Sequence, residues 1–216
     1  MERRPIRGVP LAVRVIPNVD GGLARALALR AGIRSLGLFT STVDDVGYTA
    51  LDEATKKAAV EVVYAKSFYA GSGHASGPLS GEFIGLIGGE TPDEVRSGLD
   101  AAVALMAEGA CFYSLDEEGT HAYYAHVVSR TGSYLSEVAG VREGEPLAYL
   151  IAPPLEALIG LDAALKAADV RLCRFYGPPT ETNFAGGLLA GSQSSCAAAA
   201  AAFAEAVHEV ARFPRK

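Results

Sequence analysis

An α+β fold of ferredoxin-like α/β sandwich type, built twice in one chain, is what this sequence predicts. Three observations predict it. Apolar strand-like segments alternate with amphipathic helical ones, the same order of elements occurs twice, and a ten-residue stretch recurs at a constant offset of 110. Residues 51–60 (LDEATKKAAV) lie against 161–170 (LDAALKAADV), with Leu, Asp, Ala, Lys, Ala and Val held in place. Self-similarity at a fixed spacing marks a duplicated structural unit.

In chain order, residues 12–16 (AVRVI) form the first strand segment and 124–128 (YAHVV) its counterpart. Residues 36–39 and 148–151 are apolar strands that precede the two copies of the repeated helix, and 60–64 and 170–175 are strands that follow them. Residues 82–89 and 184–191 each lead into a second helix. The first of these helices opens at Thr91-Pro92-Asp93-Glu94, with Thr as N-cap, Pro at the first helical position and Glu placed to close a capping box. Val95, Leu99, Ala102, Val103 and Met106 then recur at helical spacing. Ser192 opens the matching helix, which runs through Cys196 and the six alanines 197–202; alanine favours helix and lets a neighbouring backbone come close. The boundary falls near Glu108–Gly109, giving domains 1–108 and 109–216 with net charges of −2 and −4, as a tandem duplication would.

The 216 residues carry 19 Lys+Arg against 25 Asp+Glu, a net charge of −6, and half of them are hydrophobic. Mean hydropathy is +0.20. That is more apolar side chain than a monomer needs to hide, and the excess is expected to face other subunits. No apolar run approaches the roughly 20 residues of a membrane span, and residues 1–10 have no signal-peptide core. The acidic balance without a Lys/Arg stripe argues against nucleic acid. Cys111, Cys173 and Cys196 are odd in number and widely spaced, which argues against a disulfide scaffold or zinc ribbon and for a reducing cytoplasm.

Catalytic and cofactor motifs are missing. Gly71-x-Gly73-x-x-x-Gly77 misses the dinucleotide spacing and precedes a strand rather than a helix. Ser192, Ser194 and Ser195 read as helix caps. His121 and His126 are five apart, which on a strand puts them on opposite faces, unable to share a metal without a bulge. Cys111, Phe112 and Tyr113 read as buried packing at the start of the second half. No catalytic residue, metal site or cofactor is expected. Asp44-Asp45 is the most unusual polar feature, where the second copy has Pro153-Pro154-Leu155-Glu156. Adjacent acids before a helix serve its dipole; they also suit a small cation site, where carboxylates and an aromatic face balance an ammonium.

The duplicated unit resembles the bacterial microcompartment (BMC) shell domain, in which an Ala-Asp-Ala-x-x-Lys-Ala-Ala run follows a short apolar strand, as residues 161–170 follow 148–151 here. Residues 12–17 (AVRVIP) resemble a strand that comes late in such domains; here it comes first, the mark of circular permutation. Together with Val43-Asp44-Asp45-Val46, Ser129-Arg130-Thr131-Gly132-Ser133 and Pro153-Pro154-Leu155-Glu156, essentially the whole chain beyond its first few residues resembles the tandem, permuted BMC shell proteins of ethanolamine-utilisation microcompartments. The resemblance implies a homotrimer that forms a pseudohexamer and tiles with other shell proteins into a sheet. It places Lys56 and Lys166 at the lattice edge. It lines a gated central pore with Gly71, Ser72, Gly73, His74 and Gly77 from one loop and Pro178, Pro179, Thr180, Thr182 and Asn183 from the other. It puts ethanolamine in a smaller channel at Asp45 and Glu82, with Asp44, Tyr69 and Phe112 beside them. The same carboxylates would serve a small-molecule sensor made of duplicated ferredoxin-like units without a lattice.

Overall fold

The computed structural model describes residues 4–69, 76–116 and 119–215. The chain folds as two compact units. The N-terminal unit is Arg7–Ala110 with the short segment Gly132–Leu135; the C-terminal unit is Cys111–Thr131 and Ser136–Lys216 with the N-terminal residues up to Ile6.

The N-terminal unit is a four-stranded antiparallel sheet. Its strands are β2 (Pro10–Ile16), β3 (Ser35–Ser41), β4 (Val60–Ser67) and β5 (Phe83–Gly89), in the order β2-β3-β5-β4. β1 (Arg4–Arg7) instead edges the other unit's sheet. Helices α2 (Asp44–Lys57) and α3 (Pro92–Ala104) pack on this unit, and α3 continues into one π-helical turn, Leu105–Gly109. Val95, Leu99, Ala102 and Met106 are buried, as the helical spacing predicts. Thr91 Oγ1 accepts from the Glu94 amide at 3.3 Å, the predicted cap. Gly47 lets α2 approach β5: a Cβ there would collide with the Phe83 ring.

The C-terminal unit repeats the pattern. β7 (Ala122–Val128), β8 (Leu147–Ala152), β9 (Val170–Tyr176) and β10 (Ala185–Gly191) run in the order β7-β8-β10-β9, the same as β2-β3-β5-β4, and β6 (Cys111–Ser114) and β1 extend the sheet beyond β7. Helices α5 (Pro154–Ala167) and α6 (Gln193–Arg212) cover one face. Cys196, Ala199, Ala200, Phe203, Ala204 and Val207 make the buried stripe of α6. The alanine run is thus a close-packing device, pressed against Ala157, Gly160, Leu161 and Ala164 of α5 in one core. Sequence periodicity missed β1, β6, α1 (Gly21–Ala26) and α4 (Ser133–Ala139), each too short to show a period.

Asp52 of α2 has no exposed surface. Its carboxylate accepts from the Gly132 amide at 2.9 and 3.0 Å and from the Leu135 amide at 2.8 Å, and Thr55 Oγ1 accepts from the Ser133 amide at 3.2 Å. Burial raises the Asp52 pKa, and the two amides and Lys56 pull it back down. Truncating such a group strands two buried N–H donors, each costing about 1–3 kcal/mol. Asp52→Ala should therefore lower the stability measured by urea unfolding by about 2–4 kcal/mol, with Asp52→Asn falling between it and the parent because one amide oxygen still accepts.

Candidate functional site

One end of the N-terminal sheet gathers polar groups, and the gathering follows from chain direction. β3 ends at Ser41 and the chain turns at once into α2, so Asp44 and Asp45 form its first turn. β5 begins at Phe83 beside Ser41 in register, which puts Glu82 at the same end. β4 ends at Ser67, paired with Phe83 from the other side. The backbone ties these ends together: Glu82 N–H donates to Ser41 O at 2.9 Å and Phe68 N–H to Glu82 O at 3.0 Å.

Asp44 and Asp45 are buried and Glu82 is half-buried. Asp44 Oδ1 accepts from the Asp45 amide at 2.9 Å, and Thr49 Oγ1 donates to Asp45 O at 2.9 Å. Desolvation, then the Asp44 charge, push the Glu82 carboxyl up to about 7. Tyr48, one turn into α2, shares a 2.9 Å hydrogen bond with Ser67 Oγ, and its ring meets Phe83 edge-on at 4.7 Å. Burial raises the Tyr48 phenol pKa, the Ser67 hydrogen bond opposes the rise, and the Asp44 and Asp45 charges add to it. The corner therefore gathers three carboxylates in a partly desolvated setting, which suits a small ammonium.

Of the five residues predicted for ligand binding, Asp44, Asp45 and Glu82 come together. Tyr69 follows Phe68 at the same sheet end with an exposed side chain. Phe112 belongs to the C-terminal unit, where it is buried, stacked on Tyr124 at 5.1 Å and edge-on to Phe184 at 5.6 Å, the packing role its sequence context suggested. Tyr48 and Ser67 were missed; the legible signal was Tyr48 falling one helical turn after the acid pair.

The two interstrand loops differ. Gly71, Ser72, Gly73 and His74 lie outside the described residues. Gly77 has φ +148° with open space where a Cβ would be. The second loop departs from the loose segment its composition suggested. Thr180 N–H donates to Phe184 O at 2.9 Å, Asn183 N–H to Thr180 O at 3.0 Å, and Phe184 N–H to Thr180 Oγ1 at 3.1 Å, closing a turn with Asn183 at φ +67°. His121 Nε2 lies 2.9 Å from Glu156 Oε1, and His126 stacks on Tyr124. Among the described residues no three His, Cys, Asp or Glu side chains converge to hold a metal, and no helix is long and apolar enough to cross a membrane.

A BMC domain model matches residues 35–115. Over 214 residues the chain is 59% identical to the bacterial microcompartment shell protein EutL of Clostridium perfringens, covering 99% of each chain. The chain belongs to the EutL family of bacterial microcompartment shell proteins. The EutL of Salmonella typhimurium is 54% identical over 97% of this chain and 95% of its own. The crystal structure of ethanolamine utilization protein EutL from Leptotrichia buccalis matches with a TM-score of 0.97 and 58% identity, covering all of both chains. As an EutL-family protein the chain is a structural component of a microcompartment shell, and its two permuted BMC domains carry that role.

The acidic corner has a pH signature. Glu82 has a folded-state pKa of about 7 against an ordinary 4.5, so between these values the folded chain binds the extra proton and stability falls as pH rises. The thermal midpoint should drop between pH 5 and pH 8, and Glu82→Gln should make that drop shallower.

Proposed function

We propose that this chain assembles as a homotrimer whose six BMC units form a pseudohexameric tile. In this reading the tile joins other shell proteins in the wall of an ethanolamine-utilisation microcompartment within the bacterial cytoplasm, and a gated central pore passes small metabolites. The observation that carries the reading is identity above one half along the full length of EutL shell proteins, supported by the shared strand order of the two units. Subunits whose edges repeat by rotation propagate their contacts in two dimensions.

Lys166 suits the lattice edge: its side chain is 75% exposed and pairs with Asp162 at 2.6 Å. Lys56 is 20% exposed and held by Glu53 at 2.6 Å and Asp52 at 3.5 Å, so it reaches a neighbour only by leaving those partners. In the pore, Pro178, Pro179, Thr180, Thr182 and Asn183 supply the fixed rim, since their turn is closed by its own hydrogen bonds. Gly71, Ser72, Gly73, His74 and Gly77 of the first loop line the same pore in this reading.

Asp44, Asp45 and Glu82 provide the seat for ethanolamine or a similar small ammonium, with the hydroxyls of Tyr48 and Ser67 for its OH and Tyr69 at the margin. An ammonium beside Glu82 stabilises the ionised carboxylate, so binding displaces a proton below pH 7 and tightens as pH rises.

Calorimetry should show ethanolamine affinity at least tenfold weaker in Asp45→Ala; an unchanged titration would mean that the corner is not the seat. Lys166→Ala should leave the oligomer's mass unchanged and disorder the hexagonal sheets seen by negative-stain microscopy, whereas sheets of parental order would remove Lys166 from the edge.

A further inference from the structure

Duplication lets the two helix-covered cores be compared position by position. Their caps align α3 with α6, because Thr91 accepts from the Glu94 amide as Ser192 accepts from the Ser195 amide. Val95, Leu99, Ala102 and Met106 then correspond to Cys196, Ala200, Phe203 and Val207, and all eight are buried. On the same alignment Val103 corresponds to Ala204, and Val13 of β2 corresponds to Ala125 of β7. The C-terminal unit therefore has three alanines where the N-terminal unit has Val13, Leu99 and Val103. A cavity of about 230 Å³ lies there, lined by Tyr113, Tyr123, Ala125, Ala200, Ala201 and Ala204. Unfilled volume costs packing energy, which an occupant would recover.

The lining sets the size, charge and shape of that occupant. An apolar protein cavity of about 150 Å³ holds benzene, so this larger one has room for a single ring with a substituent. No Lys, Arg, Asp or Glu is among the lining residues, which favours a neutral molecule. The rings of Tyr113 and Tyr123 stand 5.9 Å apart at 34°, offering aromatic surface to a flat guest, and the alanine methyls make its floor. Tyr123 is 1% exposed, and its hydroxyl, 3.4 Å from His208 Nε2, is a group that both donates and accepts. The His208 ring meets the Tyr123 ring edge-on at 5.4 Å, which fixes that wall. Ala201 is exposed and marks the mouth.

We propose that this cavity binds a neutral single-ring aromatic alcohol of the size of p-cresol, with its ring against the two tyrosines and the alanine floor and its hydroxyl bonded to that of Tyr123. The lining belongs wholly to the C-terminal unit. The site therefore stands whether or not the acidic corner of the N-terminal unit takes an ammonium.

Methyl NMR of the full chain labelled at alanine, titrated with p-cresol, tests it. The Ala125, Ala200 and Ala204 methyls should shift along one common saturation curve, and benzoate at the same concentrations should leave them in place. Ala204→Leu returns the bulk that Val103 supplies in the sister unit and should weaken p-cresol binding by roughly tenfold or more. Ala201→Leu, at an exposed position, should weaken it likewise by closing the mouth, and it decides the matter if Ala204→Leu does not fold. Tyr123→Phe should weaken p-cresol about fivefold, the usual worth of one hydrogen bond, and leave toluene binding unchanged. A parent whose three methyls do not move, or folded leucine variants that bind p-cresol as the parent does, would overturn the site. Equal p-cresol affinity in Tyr123→Phe would overturn the hydroxyl's part in it.

Discussion

A carboxylate with no access to water must be met by donors, and the packing of α2 turns on how Asp52 is met. Gly132 and Leu135 present backbone amides to it, Ser133 presents another to Thr55, and Lys56 closes over the pair. Burial without those amides would leave a desolvated charge, which costs several kcal/mol and would be relieved by protonation or by local opening. The contact therefore fixes a polar helix face that could not otherwise be buried. It holds α2 in the orientation that delivers Asp44 and Asp45 to the end of the sheet, beside Glu82.

That sheet end shows how a structural module gathers titratable groups. Three carboxylates are brought there by chain direction alone: the exit of β3, the first turn of α2 and the entry of β5. Tyr48 and Phe83 wall the corner with aromatic surface, and desolvation keeps Glu82 near half-ionised at neutral pH. A shell component needs a wall that packs and openings that discriminate. Here the packing face and the acidic corner lie on the same helix.

Most of the fold was legible because its repeated elements are long enough to carry a period. The four strands of each unit, α2 with α5, and α3 with α6 could be read from alternation, caps and the offset of 110. The short pieces could not: β1 and β6 have four residues each and α1 has six, too few to establish a pattern. The site was legible in its acids and opaque in its partners. Tyr48 is marked only by falling one helical turn after the acid pair, and Phe112 takes the packing role that its place at the start of the second half suggested rather than a place at the acids. The second interstrand loop looked loose by composition, yet Thr180 closes it through both its backbone and its hydroxyl. Identity misleads most at Asp52 and Asp162. They are the same residue at the same place in the repeat, one buried against amides and the other exposed, and only tertiary cover separates them.

Assembly is what the duplicated units serve in the proposed tile. Single-particle cryo-electron microscopy of the purified full chain, at a resolution that separates helices, tests it most directly. A threefold ring of six similar units around a central opening is the expected result. A particle with twofold symmetry, or a monomer, would contradict it.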